Sequence, residues 1–253
     1  RHIEKFLRYL EIERNASAHT LLNYKLDLEG FRDFLKDIAV EKVDYLFIRK
    51  YLAHLKEKHL AARTIGRKLS SLRSFFRFLV KDNYIQVNPT DMISSPKQDK
   101  VLPKFLTEDE VARLIEVPDT SRAKGKDQRV VLDARDRAIL ETLYSTGMRI
   151  SELVSLTQET VDFIGGTVRV MGKGKKERML PIGDRALRAI RQYMEGRAAD
   201  SRWIFLNKNK KHLGARGIRK MVDRHIRAVS LKEHISPHTL RHTFATHLLN
   251  RGA

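Results

Sequence analysis

The sequence predicts a mainly α-helical protein carrying one small antiparallel β-sheet, and three observations support that class. Apolar residues recur at helical spacing through most of the chain. Strand-like segments are confined to 161–181, where glycine pairs and a glycine–lysine run punctuate them. A breaker-rich stretch at 88–103 divides the pattern into an all-helical part and a mixed one.

In the first part four apolar stripes each predict a helix. Ile3, Phe6, Leu7 and Leu10 form the first; Leu21, Leu22, Leu26, Leu28, Phe31, Phe34 and Leu35 form the second. Tyr45, Ile48, Leu52 and Leu55 form the third, and Ile65, Leu69, Leu72, Phe75, Phe76 and Leu79 the fourth. The fourth stripe alternates with Arg63, Arg67, Lys68, Arg73 and Arg77. Those cations suit either a surface helix whose side chains snorkel or a helix lying along a DNA groove.

Asn88-Pro89-Thr90-Asp91 and then Ser94 through Pro103 end regular structure, with Pro96 and Pro103 seven residues apart. The expected organisation is a helical domain over 1–95, a linker over 96–104 and a second domain over 105–253. Thr107 with Glu110 forms a capping-box start for a helix running to about Val117. Residues 117–130 read as a loop, and 129–146 as a long helix closed by Gly147. Val161–Ile164, Thr167–Met171 and Glu177–Pro181 read as the strands, turning at Gly165-Gly166 and at Gly172–Lys176. Helices resume at 184–196 and 215–230. Ser236 and Pro237 then give a cap and first-turn proline for a last helix ending near Arg251-Gly252.

Charge narrows the function. The chain carries 50 Lys and Arg against 31 Asp and Glu, a net +19 in 253 residues. Residues 1–100 hold 20 basic and 13 acidic side chains, the remainder 30 and 18, so both parts are positive. Two basic folded surfaces point to a polyanion, either nucleic acid or an acidic membrane surface. The absence of cysteine excludes disulfide scaffolds, thiolate-held zinc, iron–sulfur clusters and thiol nucleophiles. With 42 % apolar residues the chain can pack a core. No apolar run reaches the roughly 18 residues of a membrane span, and the first residues mix both charge signs. The expectation is a soluble, cytoplasmic, globular protein without a membrane anchor.

The densest cluster of chemistry is His238-Thr-Leu-Arg241-His242, with His247 five residues on. His238 and Arg241 share a helix face, and an arginine fork beside an imidazole near a helix N-terminus suits a phosphate. A plain solvent-facing pair fits the same spacing. Zinc on His238 and His242 is set aside, because Thr239 stands where an H-E-x-x-H site has glutamate. Gly172-Lys173-Gly174-Lys175-Lys176 is no P-loop: the spacing from Gly166 is wrong, Gly174 replaces the hydroxyl residue, and a hairpin replaces the following helix. A lysine at that tip either reaches into a site or simply sits in a solvated turn. Arg149 follows the helix-ending Gly147, with Ser151 available as the next cap and Glu152 as a buttress.

Together these segments resemble the tyrosine recombinase (phage integrase) family, in particular its Xer branch. The carriers are TGMRISEL at 146–153, VRVMGKGKKERMLPIG at 168–183, SPHTLRHTFATHLLNRGA at 236–253 and, more loosely, ASAHTLLNYKLDLEGFRDFL at 16–35. The resemblance implies the DNA breaking-rejoining fold, a SAM-like core-binding domain and a catalytic domain clamping duplex DNA. It implies Arg149, Lys173, His238 and Arg241 as catalytic residues, Lys173 being the acid for the leaving 5′-hydroxyl. The α-helical cations named above, with Lys175 and Lys176, are the expected DNA contacts. The implied reaction is attack by a tyrosine hydroxyl, giving a 3′-phosphotyrosyl intermediate that is religated, with no cofactor and no metal. The implied partners are a specific double-stranded site and a tetramer with itself or a paralogue on two duplexes. The implied role is chromosome-dimer resolution at cell division; a mobile-element or integron integrase, or a non-catalytic DNA-binding protein of this fold, are the alternatives.

The family pattern continues past Arg251-Gly252-Ala253 to a second His or Trp and then the nucleophile. None of Tyr9, Tyr24, Tyr45, Tyr51, Tyr84, Tyr144 and Tyr193 follows the H-x-x-R element. The expectation is therefore a chain truncated before its nucleophile, binding DNA and phosphate but not cleaving alone.

Overall fold

The computed structural model describes residues 1–97, 105–120, 128–172, 176–197, 200–229, 237–250 and 252, excepting the side chains at 117–120, 128–130 and 237–238. The chain forms two compact units, Arg1–Val101 and Leu102–Ala253.

The first unit consists of α1 (His2–Ile12), α2 (Ala18–Leu35), α3 (Tyr45–Glu57) and α4 (Ala62–Lys81). The Ser17 hydroxyl caps α2 and the Asp44 carboxylate caps α3, each accepting a backbone N–H. Phe6, Leu28, Phe31, Ile48, Tyr51, Leu69, Leu72, Phe76 and Leu79 make the buried core. The second stripe is narrower than its sequence suggests. Leu28, Phe31 and Leu35 are buried, whereas Leu22 and Leu26 are about half exposed, 52 % and 55 %. At roughly 100° per residue those two leucines fall on the opposite side of the helix. Tyr45 of the third stripe is also exposed, standing at the first residue of α3.

Asp27 is buried between α2 and α4. It accepts hydrogen bonds from Lys68 Nζ (3.1 Å), the Ser71 hydroxyl (2.8 Å) and the Arg67 guanidinium. Burial, and then the nearby Asp27 carboxylate, push the Tyr51 phenol up to about 12.

The second unit begins with α5 (Glu108–Thr120), whose Thr107–Glu110 capping box forms as its residue types dictate: Thr107 N–H to Glu110 Oε2 is 2.9 Å and Glu110 N–H to Thr107 Oγ1 is 3.2 Å. α5 runs three residues beyond Val117 and α6 spans Gln128–Thr146, so both ends of the stretch expected as a loop over 117–130 are helical; 121–127 lie outside the described residues. Pro118 does not stop α5 at the expected place.

Strands β1 (Val161–Asp162), β2 (Thr167–Met171) and β3 (Glu177–Pro181) form one antiparallel sheet in the order β1-β2-β3. β1 is two residues long, not the four expected. The Asp162 Oδ1 accepts the N–H of Ile164 (3.0 Å) and Gly165 (2.8 Å), an Asx turn that peels the chain off the ladder. Gly166 completes that turn at φ +62°. In β2 and β3 Val170 pairs with Arg178 and Val168 with Leu180, setting Arg178 and Leu180 on the core-facing side.

α7 (Ile150–Val154), α8 (Asp184–Gly196), α9 (Ala215–Ala228) and α10 (Pro237–Asn250) complete the unit. Ile139, Leu140, Leu143, Leu153, Val168, Ile190, Ile204, Ile218 and Val222 lie in its core. Asp136 of α6, fully buried, accepts Arg135 through Oδ1 (2.9 and 2.6 Å) and His225 Nε2 (3.0 Å) and Arg224 through Oδ2, tying α6 to α9. Arg135 also donates to the Leu206 carbonyl at 3.0 Å. Among the described residues no helix is long and apolar enough to cross a membrane.

Candidate active site

The site is assembled around the end of α6. Gly147 terminates the helix at φ +57°, where an L side chain is strained. A Cβ there would also stand 2.3 Å from Phe244 Cδ1 of α10. Only glycine lets α6 and α10 approach this closely. The Gly147 carbonyl accepts a hydrogen bond from Arg241 Nη1, so one backbone residue sets the position of both arginines: Arg241 directly, and Arg149 two residues further along the chain.

Arg149 precedes α7 in extended conformation and is its N-cap residue. Ser151, suggested as the cap, lies inside the helix instead. Glu152 does the capping: its Oε2 accepts the Arg149 backbone N–H at 2.8 Å. Its Oε1 accepts Arg149 Nη1 at 3.0 Å, so the same carboxylate holds the side chain it caps. Arg178 Nη2, arriving from β3, donates to both oxygens at 2.8 and 2.9 Å. Glu152 is only 3 % exposed, and these four contacts fill its acceptor sites.

Three guanidinium groups, Arg149, Arg178 and Arg241, thus gather with one carboxylate, leaving two positive charges in surplus. Burial, then the neighbouring Arg149 guanidinium, lower the Arg241 pKa from its ordinary value, while Glu152 opposes the shift. The guanidinium stays charged. Arg241 is thus partly desolvated beside a like charge. Arg149 keeps 46 % of its side chain exposed, so donors not engaged by Glu152 face solvent. Chemically such an arrangement, built on a helix end, suits an oxyanion.

The other residues singled out in the sequence fall as follows. Lys173 and Lys175 lie outside the described residues, as does the side chain of His238. The His238 backbone sits in the first turn of α10, three residues before Arg241. Lys176 is exposed, and its carbonyl accepts the Gly172 N–H at 2.7 Å to close the hairpin base. In α4 Arg63 and Arg77 are exposed. Arg67 and Lys68 bind Asp27, and Arg73 donates to the Ser95 hydroxyl (2.8 Å) and the Ile93 carbonyl. Three of those five cations therefore hold the first unit together. His247 is buried against Tyr144, Nδ1 to hydroxyl 2.9 Å, while His242 is exposed. Among the described residues no cluster of three or more His, Asp or Glu could hold a metal.

Two features escaped the sequence reading. Arg178 was signalled by alternation: a cation on the core side of β3 demands a buried carboxylate partner. The exposed face of α9 presents Arg216, Arg219, Lys220 and Arg227 around a buried stripe of Ile218, Met221, Val222 and Ile226, a pattern readable by helical phase alone.

An arginine cluster with surplus positive charge, in a basic and mostly helical protein, is the arrangement of a phosphate-handling class. The model described as "Phage integrase family" matches residues 104–253, and that described as "Phage integrase, N-terminal SAM-like domain" matches residues 3–83. The chain is 43 % identical to Tyrosine recombinase XerC of Pelotomaculum thermopropionicum, over 100 % of this chain and 86 % of the relative. It is 38 % identical to Tyrosine recombinase XerD of Staphylococcus aureus, over 99 % of this chain and 85 % of the relative. The solved structure of the Tn1549 transposon integrase in complex with transposon right end DNA is similar in fold, with a TM-score of 0.81 at 21 % identity over 100 % of this chain and 87 % of that one.

The chain belongs to the phage integrase family and, within it, to the Xer-type tyrosine recombinases, enzymes of DNA cleavage and religation.

Proposed function

We propose that Arg149 and Arg241 grip the scissile phosphate of a duplex recombination site, and that the chain acts in chromosome-dimer resolution. The observation that carries this reading is Gly147: its carbonyl orients Arg241, while two residues on Arg149 is locked to a buried carboxylate. Two preset cationic forks suit the non-bridging oxygens of a phosphodiester, on which charge grows as the phosphorane forms.

The step is displacement at phosphorus. A tyrosine oxygen forms the P–O bond, the bond to the 5′-oxygen breaks, and Lys173 delivers a proton to that oxygen; His238 handles the proton of the attacking hydroxyl. The 3′-phosphotyrosyl link keeps the bond energy for religation. Among the chain's tyrosines, Tyr144 is bonded to His247 and Tyr193 accepts the Leu206 N–H, and none is assigned as nucleophile. Arg63 and Arg77 of α4, the hairpin lysines and the exposed cations of α9 contact the phosphate backbone. Four copies, identical or from a paralogue, act on two duplexes in the cytoplasm. The Xer names of the sequence relatives favour this role over a mobile-element integrase.

The test uses full-length protein and a nicked suicide duplex, with covalent complex read on a denaturing gel. Arg241→Ala is expected to slow adduct formation by ~10²–10³-fold with duplex Kd within about threefold. A loss of binding as large as the loss of cleavage overturns the phosphate-gripping role. Lys173→Ala is expected to recover on a substrate whose 5′-bridging oxygen is sulfur, a leaving group needing no proton; absence of recovery removes Lys173 as the acid.

A further inference from the structure

We infer that Arg178 is a positioning residue for strand cleavage, acting through Glu152 to fix the direction in which Arg149 points. This rests on the reading that Arg149 holds the phosphate.

The sheet places Arg178 for this purpose. It pairs with Val170, which is buried, so its stem descends on the core side of β3 and its guanidinium ends at a carboxylate that is 3 % exposed. Glu152 comes from a helix of five residues, too short to hold a side chain rigidly by itself. Arg149 supplies two donors to that carboxylate, one to each oxygen. Both originate on the residue that Glu152 has to orient, so by themselves they leave the pair free to swing together. Arg178 brings an anchor from a separate element. Its Nη2 spans both oxygens, fixing the carboxylate plane, and its Nη1 packs beside the hairpin base, 3.4 Å from where a Cβ on Gly172 would stand. The chain just past β3, at the N-cap of α8, is tied to α6, since the Gly183 N–H donates to the Ser145 hydroxyl at 2.7 Å. Arg149 is thereby referenced to the sheet as well as to α6. Arg178 Nη2 is thus committed to both oxygens of a buried carboxylate, the geometry of a support for that carboxylate.

The measurement is single-turnover cleavage of a nicked duplex at saturating DNA, with duplex Kd and Tm recorded for each full-length variant. Arg178→Gln is expected to slow cleavage ~10–100-fold while Kd moves less than about threefold. Glu152→Gln is expected to give a loss of similar size, and the double variant to be no more than about threefold slower than the worse single. Arg178→Lys, which keeps a cation able to span two oxygens, is expected to recover at least about tenfold of the Gln loss. Multiplying losses in the double variant would show that Arg178 acts independently of Glu152, and would overturn the inference. So would a normal rate in Arg178→Gln when Arg149→Ala is inactive. If Arg149→Ala itself cleaves normally, it is the phosphate reading that has failed.

Discussion

Gly147 carries two constraints that any other residue violates. Its φ of +57° costs a side-chain-bearing residue about 1 kcal/mol, and the 2.3 Å approach to Phe244 adds a steric clash. Gly147→Ala is expected to destabilise the second unit by about 2–4 kcal/mol in urea titration. Adding Phe244→Leu should return part of that loss, the clash, but leave the backbone term. Cleavage should fall further than stability, because the carbonyl that holds Arg241 moves with the backbone.

Glu141 lies in α6, the helix that Gly147 follows. Burial raises its pKa from the ordinary value, against the lowering influence of Arg137, Arg185 and Arg188. A carboxyl raised on folding favours the folded state while it is protonated, below its unfolded pKa, and that contribution is lost as pH rises through the raised value. Glu141→Gln is therefore expected to have a higher urea midpoint than the parent at pH 7, with the gap closing as the pH falls towards the ordinary carboxyl range. A gap that widened on acidification would refute the assignment.

At the scale of elements, helices were legible wherever burial on one side set the pattern. α8 is read at its full length, Asp184–Gly196, because Gly183 and Gly196 bracket a strongly one-sided helix. The second stripe was overdrawn because seven apolar residues in one segment need not share one face. The β1 boundary was invisible in propensity: Val161 to Ile164 are strand formers apart from Asp162, and it is that side chain's two hydrogen bonds that end the strand. At the site, Arg149 and Glu152 could be paired from their spacing along α7, and Arg241 placed on α10 from its motif. Arg178 could not be joined to them, since which carboxylate meets a strand cation is decided by the register and by α7's approach from elsewhere in the chain.

The Asp136 hub was hidden for the same reason. Its partners Arg224 and His225 lie about ninety positions away on α9. Asp136→Asn removes one charge from a group holding buried Arg135 and His225. The expected cost is about 3–5 kcal/mol, read as a lowered urea midpoint with an unchanged slope. A change under about 1 kcal/mol would mean that α6 and α9 are held by their apolar contacts alone.

For the molecule as a whole, the decisive quantity is where the +19 resides. The arginine centre accounts for a surplus of two, so nearly all the excess lies elsewhere on the surface, and both units are positive by composition. On the proposed reading, gripping one phosphate and attracting a duplex are therefore separable. Attraction by many exposed cations releases counterions, so log K should fall linearly with log salt at roughly −0.9 per phosphate neutralised. With about 6–10 phosphates covered, affinity should drop ~10³–10⁵-fold between 50 and 200 mM salt. The exposed face of α9 provides a finer test. Arg219→Ala with Lys220→Ala, two positions outside the core stripe, should weaken binding to any duplex and reduce the salt slope by about two. Arg241→Ala, inside the centre, should leave that slope nearly unchanged while slowing cleavage ~10²–10³-fold. Were the α9 pair to leave the slope intact, that face would not meet phosphate, and the cations of α4 and the hairpin would have to supply the attraction.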